Sequence, residues 1–428
     1  MRRFQFPSIL LGAAVLAQAT LGPALAIESV STPASDLRVT LDRLLSEHAF
    51  LTVQALHAAA TDDDQFAAAA QALEANSAEL EAAIADIYGD SGGQRFGDLW
   101  RAHIGYVVDY SRARRAGDMA GQQRAIDGLD TYQSEFVSFL ARANPHLSEE
   151  TLHHLLEDHL GQLLQIEKIN AEDFDGVYAA VGVAHDHMFE LGDGLSGAIA
   201  MQFPETFGGR DVAFGPAIDL QVALDRLLGE HAFLAVEVMR TADVGLAPQR
   251  AAVGALATNA ESLQAAVVDI YGEGAGRVFA TIWEEHNGRY VDYVRAVLAD
   301  DDAGMETARA GLEEFSGLMA DYFAGANNLL DARAVRAGLA GHTEHLLAQV
   351  DAHHAGDYAV AFDLGRQGYR HMGAVSDLLA AGIANQFAER FLPDTAGASV
   401  PGTVLLGWLA LAGAIVMSLR RSRMAGWV

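Results

Sequence analysis

Cysteine is absent from all 428 residues, which excludes disulfides, thiolate metal sites and cysteine nucleophiles together. Basic residues are scarce: 28 Lys and Arg stand against 57 Asp and Glu, a formal charge of -29. Nucleic-acid binding needs clustered cations that displace counterions from phosphate, so the balance argues against that class. An acidic surface instead favours solubility and attracts cations. An alternating strand pattern is also missing, as is any GxSxG, P-loop, HExxH or dinucleotide fingerprint in a fitting context. Nothing therefore reads as a hydrolase or an NTPase.

What is present begins with an address at each end. Arg2 and Arg3 precede an apolar run from Ile9 to Leu16 and the small-residue triplet Ala24-Leu25-Ala26. That order is what export machinery reads, so residues 1–26 form a predicted signal peptide. At the other end, residues 392–396 read LPDTA. A short spacer, an apolar stretch from Val404 to Leu419, and Arg420, Arg421 and Arg423 follow. Residues 392–428 thus resemble the cell-wall sorting signal of Gram-positive surface proteins. By that resemblance a sortase cuts between Thr395 and Ala396, although Ala396 stands where the commonest version has glycine. A plain C-terminal membrane anchor, a transmembrane helix held by the basic cluster, is the alternative. Both place the protein outside the cell, joined to its envelope through the C-terminus.

Between the ends the sequence repeats itself. DLRVTLDRLLSEH at 36–48 matches DLQVALDRLLGEH at 219–231, an offset of 183, and after one insertion His187-Met188 matches His371-Met372. The expected organisation is a repeat at 36–207, a linker at 208–218 and a second repeat at 219–391. Ala, Leu, Glu, Gln and Arg dominate, and apolar positions recur at three and four residues, as at Leu41, Leu44, Leu45 and His48. The first repeat is predicted as six helices near 36–60, 64–88, 93–116, 119–143, 148–170 and 172–202. The fold class is all-α, two tandem multi-helix bundles.

Four histidines recur in both repeats: His48 with His231, His103 with His286, His159 with His342, and His187 with His371. His48, His103 and His159 each follow two bulky apolar residues at three and four positions, so they lie on interior stripes. One inward histidine from each of four helices is the arrangement that builds a metal site in a bundle core. Glu47 with Glu230 and Met188 with Met372 adjoin the set. Methionine beside histidine suits copper; carboxylate beside histidine suits zinc or iron. Haem held between two histidines is a narrower version of the same idea.

The alternative is that these histidines are core residues, each bonded to a carbonyl or an acid, within a structural or adhesive surface module. His185, two residues from His187, points elsewhere on a helix, and the Glu150/His153 pair has no counterpart in the second repeat. Trp100 and Trp283, with Asp109-Tyr110 and Asp292-Tyr293, read either as a ligand-facing patch or as core packing with polar tips.

EHAFL at 47–51, the Trp100 to His103 run and His187-Met188 resemble a secreted helical domain of Gram-positive surface proteins often labelled copper amine oxidase-like. The resemblance spans both repeats and implies a copper-related or other surface role. Copper amine oxidases build their cofactor from tyrosine in an Asn-Tyr context. No Asn-Tyr pair occurs here, so amine oxidase activity is not expected and the chain reads more as a binding protein than an enzyme.

Overall fold

A computed structural model describes residues 31–61, 63–169 and 173–392. The signal peptide, most of the sorting segment and the proposed Thr395–Ala396 cut lie outside the described residues. Every regular element among the described residues is helical, and none of these helices is long and apolar enough to cross a membrane.

The chain runs through α1 (Pro33–Thr61), α2 (Asp63–Tyr88), α3 (Asp90–Arg115), α4 (Met119–Ala143), α5 (Glu149–Lys168) and α6 (Phe174–Gln202). A short α7 (Pro204–Phe207) and a 3-10 turn (Arg210–Val212) follow. Then come α8 (Pro216–Ala242), α9 (Leu246–Tyr271), α10 (Glu273–Leu298), α11 (Asp302–Ala326), α12 (Ala332–His354), α13 (Tyr358–Gln386) and α14 (Ala388–Phe391).

Helix starts follow from capping chemistry. Asp118, Ser148, Asp173 and Asp301 each accept a hydrogen bond from the backbone N–H three residues on, satisfying a donor the helix leaves unpaired. Gly89 (φ 80°) and Gly272 (φ 84°) adopt the left-handed backbone that lets α2 and α9 reverse directly into α3 and α10. Helix α3 begins at Asp90, ahead of the expected start near 93, so Gly92 and Gly93 both lie inside it. A Cβ on Gly93 would stand 2.5 Å from that of Ala85, so this glycine permits close approach of α2 and α3.

Consecutive helices pack as neighbours, and α6 returns to α1 as α13 returns to α8. Leu41, Leu45, Trp100, Phe136 and Leu156 belong to one buried cluster among α1–α6. Leu224, Leu228, Trp283, Met319 and Leu339 belong to another among α8–α13. A further cluster crosses between the two groups, including Phe50, Phe233, Val236 and Tyr290.

The crossing contacts come in exchanged pairs. Helix α2 meets α13, α9 meets α6, and α1 meets α8. At their centre Phe50 stacks on Phe233 with ring centroids 4.1 Å apart and planes 4° from parallel; these residues occupy matching sequence positions, 183 apart. Ion pairs, several of them buried, flank this stack. Arg38 bonds Asp219 at 2.6 Å and Arg43 bonds Asp225 at 2.8 Å. Arg366 on α13 donates twice to Glu47 on α1, both bonds 3.0 Å, and once to Glu79 on α2 at 2.9 Å.

The expected linker is not an open connection. Thr32 donates to the Val212 carbonyl at 2.8 Å, and the guanidinium of Arg38 lies 4.4 Å from the centre of the Phe214 ring.

Candidate metal centres

The apolar stripes of α1, α3 and α5 point to one interior region and bring a histidine from each: His48, His103 and His159. Helices α8, α10 and α12 do the same with His231, His286 and His342. In each triad, one nitrogen per ring lies within 4.8 Å of the other two. All six side chains are buried, none more than 2 % exposed.

The His48 and His103 Nε2 atoms are 3.4 Å apart. An ion about 2.0–2.1 Å from two nitrogens, at trigonal or tetrahedral angles, sets them about 3.3–3.6 Å apart. The ring centres of His231, His286 and His342 form a nearly equilateral triangle with sides of 5.6, 5.8 and 5.4 Å.

Inside the first triad the hydrogen-bond contacts are His48 Nε2 with His103 Nε2 at 3.4 Å and with Thr52 Oγ1 at 3.5 Å. His159, His231 and His342 have no partner on either ring nitrogen, and His48, His103 and His286 have none on Nδ1. Buried polar atoms are rarely left this way. Aromatic rings provide much of the surrounding wall: His103 stacks on Tyr132 and His286 on Phe315, while Trp100 and Trp283 flank His48 and His231.

Burial disfavours the charged imidazolium, so all six histidines titrate below their ordinary value, His103 at about 3. The titratable neighbours that act on them are other histidines, with no carboxylate among them. Each site is therefore three neutral nitrogen donors in a buried, largely apolar surround.

The fourth recurring histidine is not part of either cluster. His187 donates through Nε2 to the Leu155 carbonyl at 2.8 Å and reaches Glu190 through Nδ1 at 3.0 Å. Burial opposes its charge, but the Glu190 and Leu155 bonds prevail and raise its pKa. His371 likewise donates to the Gly338 carbonyl at 2.7 Å.

The carboxylates also stand apart. Glu47 accepts from Asn76 at 2.8 Å as well as from Arg366, and Glu230 accepts from Asn259 at 3.0 Å. Each joins the first helix of its group to the second. Met188 and Met372 are fully buried. Trp100 and Trp283 are core residues, and Asp109 and Asp292 face solvent.

Sequence reasoning missed Tyr132 and Phe315, the stacking partners at matching positions, whose recurrence as an aromatic pair was the available signal. It also passed over His154. That residue forms an exposed group with His153 and Glu157 on α5.

Searches against protein-family models, curated proteins and solved structures gave no match for this chain.

Proposed function

We propose that this protein is an exported, envelope-attached metal-binding protein whose two tandem helical repeats each hold one transition-metal ion in a three-histidine site. The observation that carries the reading is the convergence of six buried imidazoles into two triads with most ring nitrogens unpartnered. An ion would turn those lone pairs into ligands. It would be held by His48, His103 and His159 in one site and by His231, His286 and His342 in the other.

Among copper, zinc and iron, the site chemistry favours monovalent copper. Electrostatic self-energy rises with the square of charge, so a divalent ion among neutral ligands bears about four times the desolvation cost of a monovalent one. No carboxylate compensates it. Imidazole suits copper, and three nitrogens satisfy a three-coordinate ion. Sequestration or delivery of copper outside the cell is the role that fits, with no catalytic step assigned.

Anaerobic titration of the full-length protein with Cu(I), in competition with a chromogenic chelator, is expected to give two equivalents per chain. His103→Ala should retain one, and the double variant with His286→Ala none, with helical circular dichroism preserved in both. A native protein that takes up neither copper, zinc nor iron would leave a structural surface module with core histidines.

A further inference from the structure

Beside the first triad lies a cavity of about 720 Å³, within the usual range for small-molecule sites. Its interior is apolar and buried: Leu41, Leu45, Leu80, Phe96 and Leu152 contribute, and Trp100 and His159 form part of the wall. Its polar lining residues are otherwise His146, Ser148, Thr151, Arg210 and Asp211, all solvent-exposed. The cavity is thus apolar inside and polar at its solvent-exposed rim.

This division matches an amphipathic molecule rather than a wholly polar one. Aliphatic side chains dominate the interior, which suits a flexible hydrocarbon chain whose burial gains about 0.8 kcal/mol per CH2. At the rim Arg210, His146 and two hydroxyls outnumber the single carboxylate of Asp211, which suits an anionic head. Gly194, which lines the cavity, has Leu378 at the matching position of the second group, where that side chain packs against the core.

We propose that this cavity binds one long-chain fatty acid, its hydrocarbon tail inside and its carboxylate at the Arg210 rim. Binding requires no metal, so its success or failure is read independently of the triads.

Two substitutions take up the space, the first at a position with room for a side chain. A Cβ on Gly194, which lines the cavity within α6, would meet only the Leu155 Cδ1 at 4.0 Å, and glycine is a poor helix residue. Gly194→Leu therefore narrows the cavity in a helix that tolerates it. Ala198→Leu, one turn further along, fills the interior.

The test is equilibrium dialysis of metal-free, full-length protein against radiolabelled palmitate, with thermal unfolding of each variant as the folding control. One saturable equivalent is expected, weakened at least tenfold by Gly194→Leu or Ala198→Leu and severalfold by Arg210→Ala. Absence of saturable uptake overturns the proposal, as does uptake that the two space-filling variants leave unchanged. Uptake of diacyl phosphatidylglycerol from vesicles, with no uptake of free palmitate, also overturns it and assigns the cavity to a membrane lipid.

Discussion

Acidifying the metal-free protein from pH 7 to pH 5 is expected to cost several kcal/mol of stability and to lower the thermal midpoint sharply. Six triad histidines are held neutral by burial in the folded chain, whereas in the unfolded chain each takes a proton near pH 6.5. Below that value the unfolded state binds more protons. Stability is complete above pH 6.5 and falls as pH drops toward the folded values, about 3 for His103. For His103, whose folded value is about 3, this costs about 1.4 kcal/mol per pH unit below 6.5, or about 2 kcal/mol by pH 5, and the other five histidines act in the same direction.

Buried acids act in the opposite direction. Burial raises Asp42, Asp193 and Asp225, the last to about 6, so these groups take up protons in the folded state first. Six histidines outweigh three aspartates in this window. Calorimetry between pH 7 and pH 4.5 is the measurement: a midpoint that stays level would show that the imidazoles are not held neutral.

The second large effect is expected at the seam. Arg366 and Glu47 are 7 % and 3 % exposed, so Arg366→Ala leaves a buried carboxylate with Asn76 as its remaining identified side-chain donor. Breaking one side of a buried pair costs about 3–5 kcal/mol. Glu79, at 39 % side-chain exposure, returns to water with little penalty. Replacing both partners, as Glu47→Leu with Arg366→Leu, should cost much less than the single change, because no buried charge remains. Urea denaturation separates the cases, and a single-variant loss below about 1 kcal/mol would remove this pair from the stabilising contacts.

The all-helical class was legible in the sequence because helix-forming composition and three-four periodicity agree. The predicted 119–143 helix coincides with α4, bounded by a capping Asp118 and by Asn144-Pro145. Helix α1 starts earlier than expected, at Pro33, a residue preorganised for a first turn. The start of α3 moved because Gly93 serves packing rather than a break.

At the candidate site, periodicity indicated that His48, His103 and His159 face inward but not how deep along the bundle each one sits. His187 has the same inward logic, yet a carbonyl on the neighbouring α5 claims it. Glu47 precedes His48 by one residue, about 100° around the helix, and so meets Asn76 and Arg366 instead of the triad. Such distances depend on how helices stagger against one another, and a one-dimensional pattern does not encode that.

The exchanged contacts between α2 and α13, and between α6 and α9, bear on what the peptide between them does. Side chains join the two groups of helices through the Phe50–Phe233 stack and the flanking ion pairs. Covalent continuity through residues 208–215 mainly raises the effective concentration of one group at the other. A chain nicked there would behave as a heterodimer of its own halves, and its apparent stability would depend on protein concentration.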